Sequence, residues 1–298
     1  MQTITLPALT AEQAALMPGA EEVARYRECG YYVSQKIFSD AEIDAAVAGS
    51  ERFYNLDLDE PEAHVLKKIE GSRPQNRPGD GLRKNDYASF WNRDLAHLVR
   101  HPLLGAIAAR LMDTPEIRLW HDQLLFKPTD MPNKKANVGW HTDRGYWKTC
   151  SSHEMVTAWI PFHDCNDEMG TITMIDGSLH WPDNTNKLDF FSNDLDGLEQ
   201  DFETGGNRVI KVPINLLKGQ VSFHHCLTIH GSGPNSSAHP RRSIAVHLQD
   251  ETNRWKEFRM KQGRLATHPN DSMVRRDEQD HPDYSDPDVC PVLYRVAQ

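Results

Sequence analysis

The chain has 298 residues, 38% hydrophobic, 8% aromatic and 26% charged, proportions of a globular protein rather than a disordered or disulfide-stapled one. Lys+Arg 33 against Asp+Glu 43 gives a formal net charge of −10, which sets aside the electrostatic footprint of a nucleic-acid or anionic-membrane binder. No apolar run approaches the roughly 20 residues of a membrane helix, Met1 to Pro18 lacks a signal-peptide pattern, and the five cysteines never form Cys-x-x-Cys, so a reducing, cytoplasmic home is expected.

In chain order, Thr10-Ala-Glu-Gln13 and Ser39-Asp-Ala-Glu42 have capping-box spacing and predict two helix starts. Gly30-Tyr-Tyr-Val33 between them reads as a short strand. Leu98, Leu103, Leu104, Ile107 and Leu111 recur at helical spacing and predict one helix over Leu95 to Met112. From about residue 117 the pattern turns to β, with strands expected over 117–127, 155–162, 170–174, 219–223 and 242–248. Short strands in succession, each bounded by Gly, Pro, Asn or Asp, point to a sandwich or barrel. Asp183 to Gly206 reads as a long polar loop of the lid or binding type, and the sequence after Gly263 shows no periodicity. The expected organisation is one domain over 1–298, with a helical front (about 1–115), a β core (about 116–250) and a tail (about 251–298).

With 15 histidines and 43 acidic residues, His-x-Asp/Glu is a common chance pattern, and it occurs at His141-Thr-Asp143 and His281-Pro-Asp283. Only the first is followed by a further histidine. Alternate residues of an extended segment point one way, so 141 and 143 can reach one ion, with His230 arriving from another strand. Two imidazoles and one carboxylate leave three neighbouring octahedral positions open, the donor set of non-haem Fe(II) oxygenases; catalytic zinc keeps fewer. Arg241, eleven residues on, is placed to begin the strand beside the one carrying His230 and to hold the far carboxylate of a chelating acid. Arg241, Ser243, Ala245 and His247 would then face the pocket, and His121, Gln123 and Lys127 would share one face with Leu119 and Leu125. Tyr146 and Trp147 could wall a substrate site or simply pack the sandwich, and Arg144 could reach the pocket or act as a packing residue. His224 and His225 read as a strand-end neighbour and a core residue rather than ligands.

Trp140-His-Thr-Asp143, Thr157-Ala-Trp-Ile-Pro161, Gly177-Ser-Leu-His180, and His230-Gly-Ser-Gly-Pro-Asn235 followed by Arg241-Arg242 together resemble the phytanoyl-CoA dioxygenase family of Fe(II)/2-oxoglutarate-dependent oxygenases, from about Gly30 to about Leu248. The resemblance implies a mainly β fold with flanking helices and a double-stranded β-helix (jelly-roll, cupin-like) core. It implies His141, Asp143 and His230 as iron ligands and Arg241 as the 2-oxoglutarate anchor, with Ser232 assisting it and Gln123 and Trp159 bordering the co-substrate. The implied reaction consumes 2-oxoglutarate and O2, releases succinate and CO2, and hydroxylates, desaturates or cyclises a small-molecule substrate. Asp143 is intact, unlike the small residue that vacates a chloride site in related halogenases. Two rivals stay open: a zinc- or manganese-dependent hydrolase or isomerase on the same fold, and a non-catalytic jelly-roll binding protein.

Overall fold

Ser39 accepts a hydrogen bond from the Glu42 amide while the Glu42 side chain reaches back to the Ser39 amide, and Thr10 and Gln13 repeat the exchange. These caps open two of the nine α-helices in the computed structural model, which describes residues 8–75, 81–130, 136–182, 188–190, 192, 194–204, 206–260 and 263–296. The helices are α1 (Ala11–Ala14), α2 (Ala20–Cys29), α3 (Asp40–Tyr54), α4 (Ala63–Ile69), α5 (Ala88–Trp91), α6 (Arg93–Val99), α7 (Pro102–Met112), α8 (Leu195–Thr204) and α9 (Pro269–Met273). The single helix expected over Leu95 to Met112 is two, α6 and α7. Pro102 disfavours helical backbone at His101, and the His101 ring then caps the new helix by accepting from the Leu103 amide at 3.3 Å.

Among the described residues, eleven strands form two antiparallel sheets. They are β1 (Tyr31–Val33), β2 (Arg83–Asp86), β3 (Glu116–Lys127), β4 (Val138–His141), β5 (Met155–Pro161), β6 (Thr173–Ile175), β7 (Lys211–Pro213), β8 (Ser222–His225), β9 (His230–Ser232), β10 (Arg241–Asp250) and β11 (Val292–Arg295). The major sheet runs β1-β8-β5-β10-β3-β11, with β2 also on β3, and the minor sheet runs β4-β9-β6-β7. This is the expected jelly-roll arrangement of facing sheets.

Strand alternation divides the core in three. Ile244, Val246 and Leu248 of β10 join Leu124, Ile160 and Phe223 and the helical Ile43, Leu104 and Ile107 in the large cluster outside the major sheet. Leu125, Trp159, Met174 and Ala245 pack in a second cluster, between the sheets. Trp140, Ile175 and Ile229 take Phe202 of α8 over the outer face of the minor sheet. The 183–206 stretch, expected as a loop, thus contains a helix, and the apolar Phe202 is what docks it. Residues 183–187, 191, 193 and 205 lie outside the described residues.

Two further expectations change. A register shift sets His247 opposite His121 but Leu248 opposite Leu119, so Trp120 is an extra residue in β3. Leu119 therefore faces the helices rather than sharing a face with His121. The tail, patternless in sequence, adds β11 to the edge of β3 and buries Tyr284 and Asn270 completely. Asn270 Nδ2 donates to the Trp120 carbonyl at 2.7 Å, which satisfies the bulge. Among the described residues, no helix is long and apolar enough to cross a membrane.

Candidate metal centre

His141 closes β4, Thr142 stays extended (φ −114, ψ 143), and Asp143 begins a short 3-10 turn, so positions 141 and 143 project to one side as alternation requires. His230 opens β9, the strand paired with β4, and sits directly opposite His141. One ligand atom from each of the three residues falls within 4.8 Å of the others, and all three side chains are buried. His141 Nε2 and His230 Nε2 lie 3.9 and 3.7 Å from Asp143 Oδ1.

The imidazoles are oriented from behind. His141 Nδ1 donates to the Gly139 carbonyl at 2.8 Å and His230 Nδ1 to the Thr228 carbonyl at 3.0 Å, which leaves each Nε2 lone pair facing Asp143. Burial pushes both rings below the ordinary imidazole range, so they are neutral donors at pH 7. Burial alone would raise the Asp143 carboxyl, but the hydrogen bond from His224 opposes this and the group is held below the usual carboxylate range. The donor set is thus two neutral nitrogens and one carboxylate, and no fourth protein ligand joins them among the described residues. That chemistry fits Fe(II) with open positions better than a closed structural zinc site.

Beside the triad, a narrow cavity of about 50 Å³ runs between the sheets to Arg241 and Ser232, past Gln123, Trp159 and Ile172. Arg241 begins β10 of the major sheet, whereas His230 lies in the minor sheet, so the two face each other across the sandwich. They are not on neighbouring strands, as expected, because the segment after Ser232 crosses between sheets. The Arg241 guanidinium stacks 5.3 Å from the Trp159 ring and donates to the Gly170 carbonyl, presented by a left-handed glycine (φ +63). Burial lowers its pKa to about 10, so it stays charged at neutral pH. Its cross-strand partner is Lys127, wholly buried, whose Nζ donates to Ser232 Oγ at 2.6 Å. Burial and Arg241 push Lys127 far down. Arg241 lines the far end of this cavity with Lys127 behind Ser232, and among the described residues no carboxylate is hydrogen-bonded to either, which favours a bound anion.

A second, wider cavity of about 240 Å³ opens on the other side of His141 and Asp143. His121, His247, His268, Gln123, Lys84 and Asp86 give it polar walls; Trp147, Tyr146, Phe190 and Tyr87 give it aromatic ones. Trp147 is buried edge-on to His247 at 5.0 Å, and Tyr146 is half-exposed with its ring 6.1 Å from His141. The Phe190 ring comes within 4.8 Å of His141 because its segment presses on β4 at Gly139, where a Cβ would stand 1.8 Å from the Asp189 carbonyl oxygen. Arg144 is absent from both cavities. Its guanidinium turns away to donate to the carbonyls of Trp147 and Cys150, so it braces the turn after Asp143. A larger cleft of about 930 Å³ meets the histidine cavity at Lys84, Asp86, Tyr87 and Pro269 but contains none of the triad.

Reading the sequence for ligands passed over the partners of Asp143. Its Oδ2 accepts from the Thr157 hydroxyl and from His224 Nε2 at 3.2 Å, and Thr157 Oγ1 lies 2.7 Å from His247 Nδ1. The inward face of β10 already carried His247, and Thr157 shares alternation with Trp159. The sequence marks His224 only as a strand-end neighbour, with no sign that it meets Asp143.

The family model described as phytanoyl-CoA dioxygenase (PhyH) matches residues 26–243. Peroxisomal phytanoyl-CoA dioxygenase of Mus musculus is 25% identical over 237 residues, covering 75% of this chain and 66%, just under two thirds, of the mouse protein. An ectoine dioxygenase of Bordetella parapertussis is 24% identical over 242 residues, covering 76% of this chain and 73% of that protein. In fold, the chain is similar to the epimerase SnoN from nogalamycin biosynthesis, crystallised with Fe3+, alpha ketoglutarate and nogalamycin RO. The TM-score for that complex is 0.64, at 20% identity over 92% of this chain and 97% of the other.

Proposed function

The chain belongs to the phytanoyl-CoA dioxygenase family, and on that premise we propose that it is an Fe(II)- and 2-oxoglutarate-dependent oxygenase acting on a small polar molecule. The observation that carries this reading is the pairing of a two-histidine, one-carboxylate face with a closed basic pocket beside it. His141, Asp143 and His230 would hold the metal. When bound, Fe(II) with 2-oxoglutarate and O2 supplies the oxidising equivalents for attack on an unactivated C–H, with succinate and CO2 released.

The protein's part is positioning. Arg241 presents a planar fork to the far carboxylate of 2-oxoglutarate, Lys127 and Ser232 close that end, and Trp159 and Ile172 exclude water from the cavity. The histidine cavity, on the opposite flank of the triad, would hold the substrate so that one carbon faces the metal. Its polar lining and volume of about 240 Å³ suit a compact hydrogen-bonding molecule better than a long acyl chain. Tyr146 and Trp147 are proposed as its aromatic walls. Hydroxylation is the reaction proposed; the same centre would serve desaturation, ring closure or epimerisation if the substrate carbon is presented differently.

The test is a substrate panel screened for stimulated succinate release with Fe(II), 2-oxoglutarate and O2. The reading requires release that depends on all three, and that disappears in His141→Ala and Asp143→Ala variants that remain folded. Full turnover in either variant would remove the ligand assignment. A hydrolase or isomerase on this fold would turn over without consuming O2.

A further inference from the structure

The residues behind Asp143 lie in one row. Cross-strand pairing sets Tyr31 opposite His224, His224 opposite Thr157, Thr157 opposite His247 and His247 opposite His121, so a single line runs straight across β1, β8, β5, β10 and β3. The row faces the minor sheet, and Asp143 rests on its centre. His224 and Thr157 are each 1% exposed and His247 3% exposed, so water does not compete for these hydrogen bonds.

The hydrogen positions follow from donor and acceptor counting. An ionised carboxylate only accepts, so the Thr157 hydroxyl donates its one hydrogen to Asp143 Oδ2. Toward His247 that hydroxyl can then only accept, which places the His247 hydrogen on Nδ1. By the same logic His224 carries its hydrogen on Nε2. Both donors reach Oδ2. Oδ1 is the oxygen that faces His141 and His230.

We propose that Thr157 and His224 are positioning residues that tie back one oxygen of Asp143 and so restrict it to a single metal-facing oxygen, with His247 setting the direction of the Thr157 hydroxyl. This rests on Asp143 being a metal ligand. A carboxylate free to rotate could bind through both oxygens and cover a position that the co-substrate or O2 needs. Two hydrogen bonds to Oδ2 oppose that rotation, and a donor at His247 Nδ1 helps keep the Thr157 hydrogen directed at Oδ2. The row places a carboxylate from the turn after β4 on a hydrogen-bonded shelf built from three strands of the major sheet.

Co(II) binding to the purified protein, followed by calorimetry and by visible absorption, tests this without turnover. Thr157→Val keeps the shape of the side chain and removes the hydroxyl; it should weaken Co(II) binding about 10- to 100-fold, the usual effect of losing a hydrogen bond behind a ligand, and shift the Co(II) absorption. Thr157→Ser should restore both. His224→Phe should resemble Thr157→Val, while His224→Gln, which retains a donor, should recover most of the affinity. His247→Phe, one bond further away, should give a smaller shift in the same direction, and it keeps the test available should Thr157→Val not fold. In the apo protein, nitrogen NMR should find His247 protonated on Nδ1 and His224 on Nε2. Wild-type affinity and spectrum in folded Thr157→Val and His224→Phe would overturn the proposal. Unaltered Co(II) binding by Asp143→Ala would instead overturn the ligand assignment beneath it.

Discussion

The two cavities flanking the triad are built on opposite principles. The one toward Arg241 is narrow, has that single charged guanidinium at its far end, and is lined mostly by strand residues. The one toward His268 is about five times larger, lined by neutral histidines and aromatics, and drawn from β2, β3, β10 and segments outside the strands. A fixed charge at the end of a strand suits a ligand of constant shape. Walls taken from turns and tail can change without disturbing the sheets, which suits a substrate that differs between relatives.

The sharpest way to break this contrast is to remove the charge. Arg241→Ala should raise the KM for 2-oxoglutarate by roughly 30-fold or more, since truncating one partner of a buried charge pair costs about 2–5 kcal/mol. Lys127→Met, similar in volume, should cost about tenfold at most and raise Tm, because a buried amine beside Arg241 is expensive to keep. If Lys127→Met is the more damaging of the two, the anchor has been assigned to the wrong side chain.

The second difference is a response to pH. Burial lowers His247 to about 4 and His268 to about 3 from the ordinary 6.5, so the folded protein keeps both neutral while the unfolded chain takes up protons below about 6.5. Their contribution is complete above pH 6.5 and is lost as pH falls from there toward 4, each adding about 1.4 kcal/mol per pH unit inside that window. Arg241 remains charged throughout. Urea unfolding of the apo protein at pH 7, 6 and 5 should show the decline, and His247→Phe should flatten it. A stability that does not change between pH 7 and 5 would mean that these rings are not buried neutral.

The smallest effect is expected at Tyr146, half-exposed at the mouth of the wider cavity. Tyr146→Ala should leave the KM for 2-oxoglutarate unchanged and cost no more than about 0.5 kcal/mol of stability, the usual range for a surface site. It should alter substrate-stimulated succinate release. A changed co-substrate KM would show that the two cavities are not separate.

How much was legible in the sequence follows the same division. The triad could be read because alternation puts 141 and 143 on one side, and Arg241 because a basic residue opens a clear strand. The sheet that Arg241 joins could not be read, since a turn-rich segment such as Gly233 to Pro240 permits a hairpin and a crossover alike. The break at His101 was visible in Pro102, and the apolar spacing on either side concealed it. His268, Asn270 and Tyr284 carry no periodicity; they are recruited by the Trp120 bulge, a feature of tertiary pairing rather than of local pattern. His224 became meaningful only once the strand register put it beside Thr157.

The most direct measurement is anomalous diffraction from crystals soaked anaerobically with Fe(II) and 2-oxoglutarate, collected at the iron edge. One peak should appear, bounded by His141 Nε2, His230 Nε2 and a single oxygen of Asp143, with the organic acid running from it to Arg241. A peak elsewhere, or iron bound without any of those three side chains, would contradict the account.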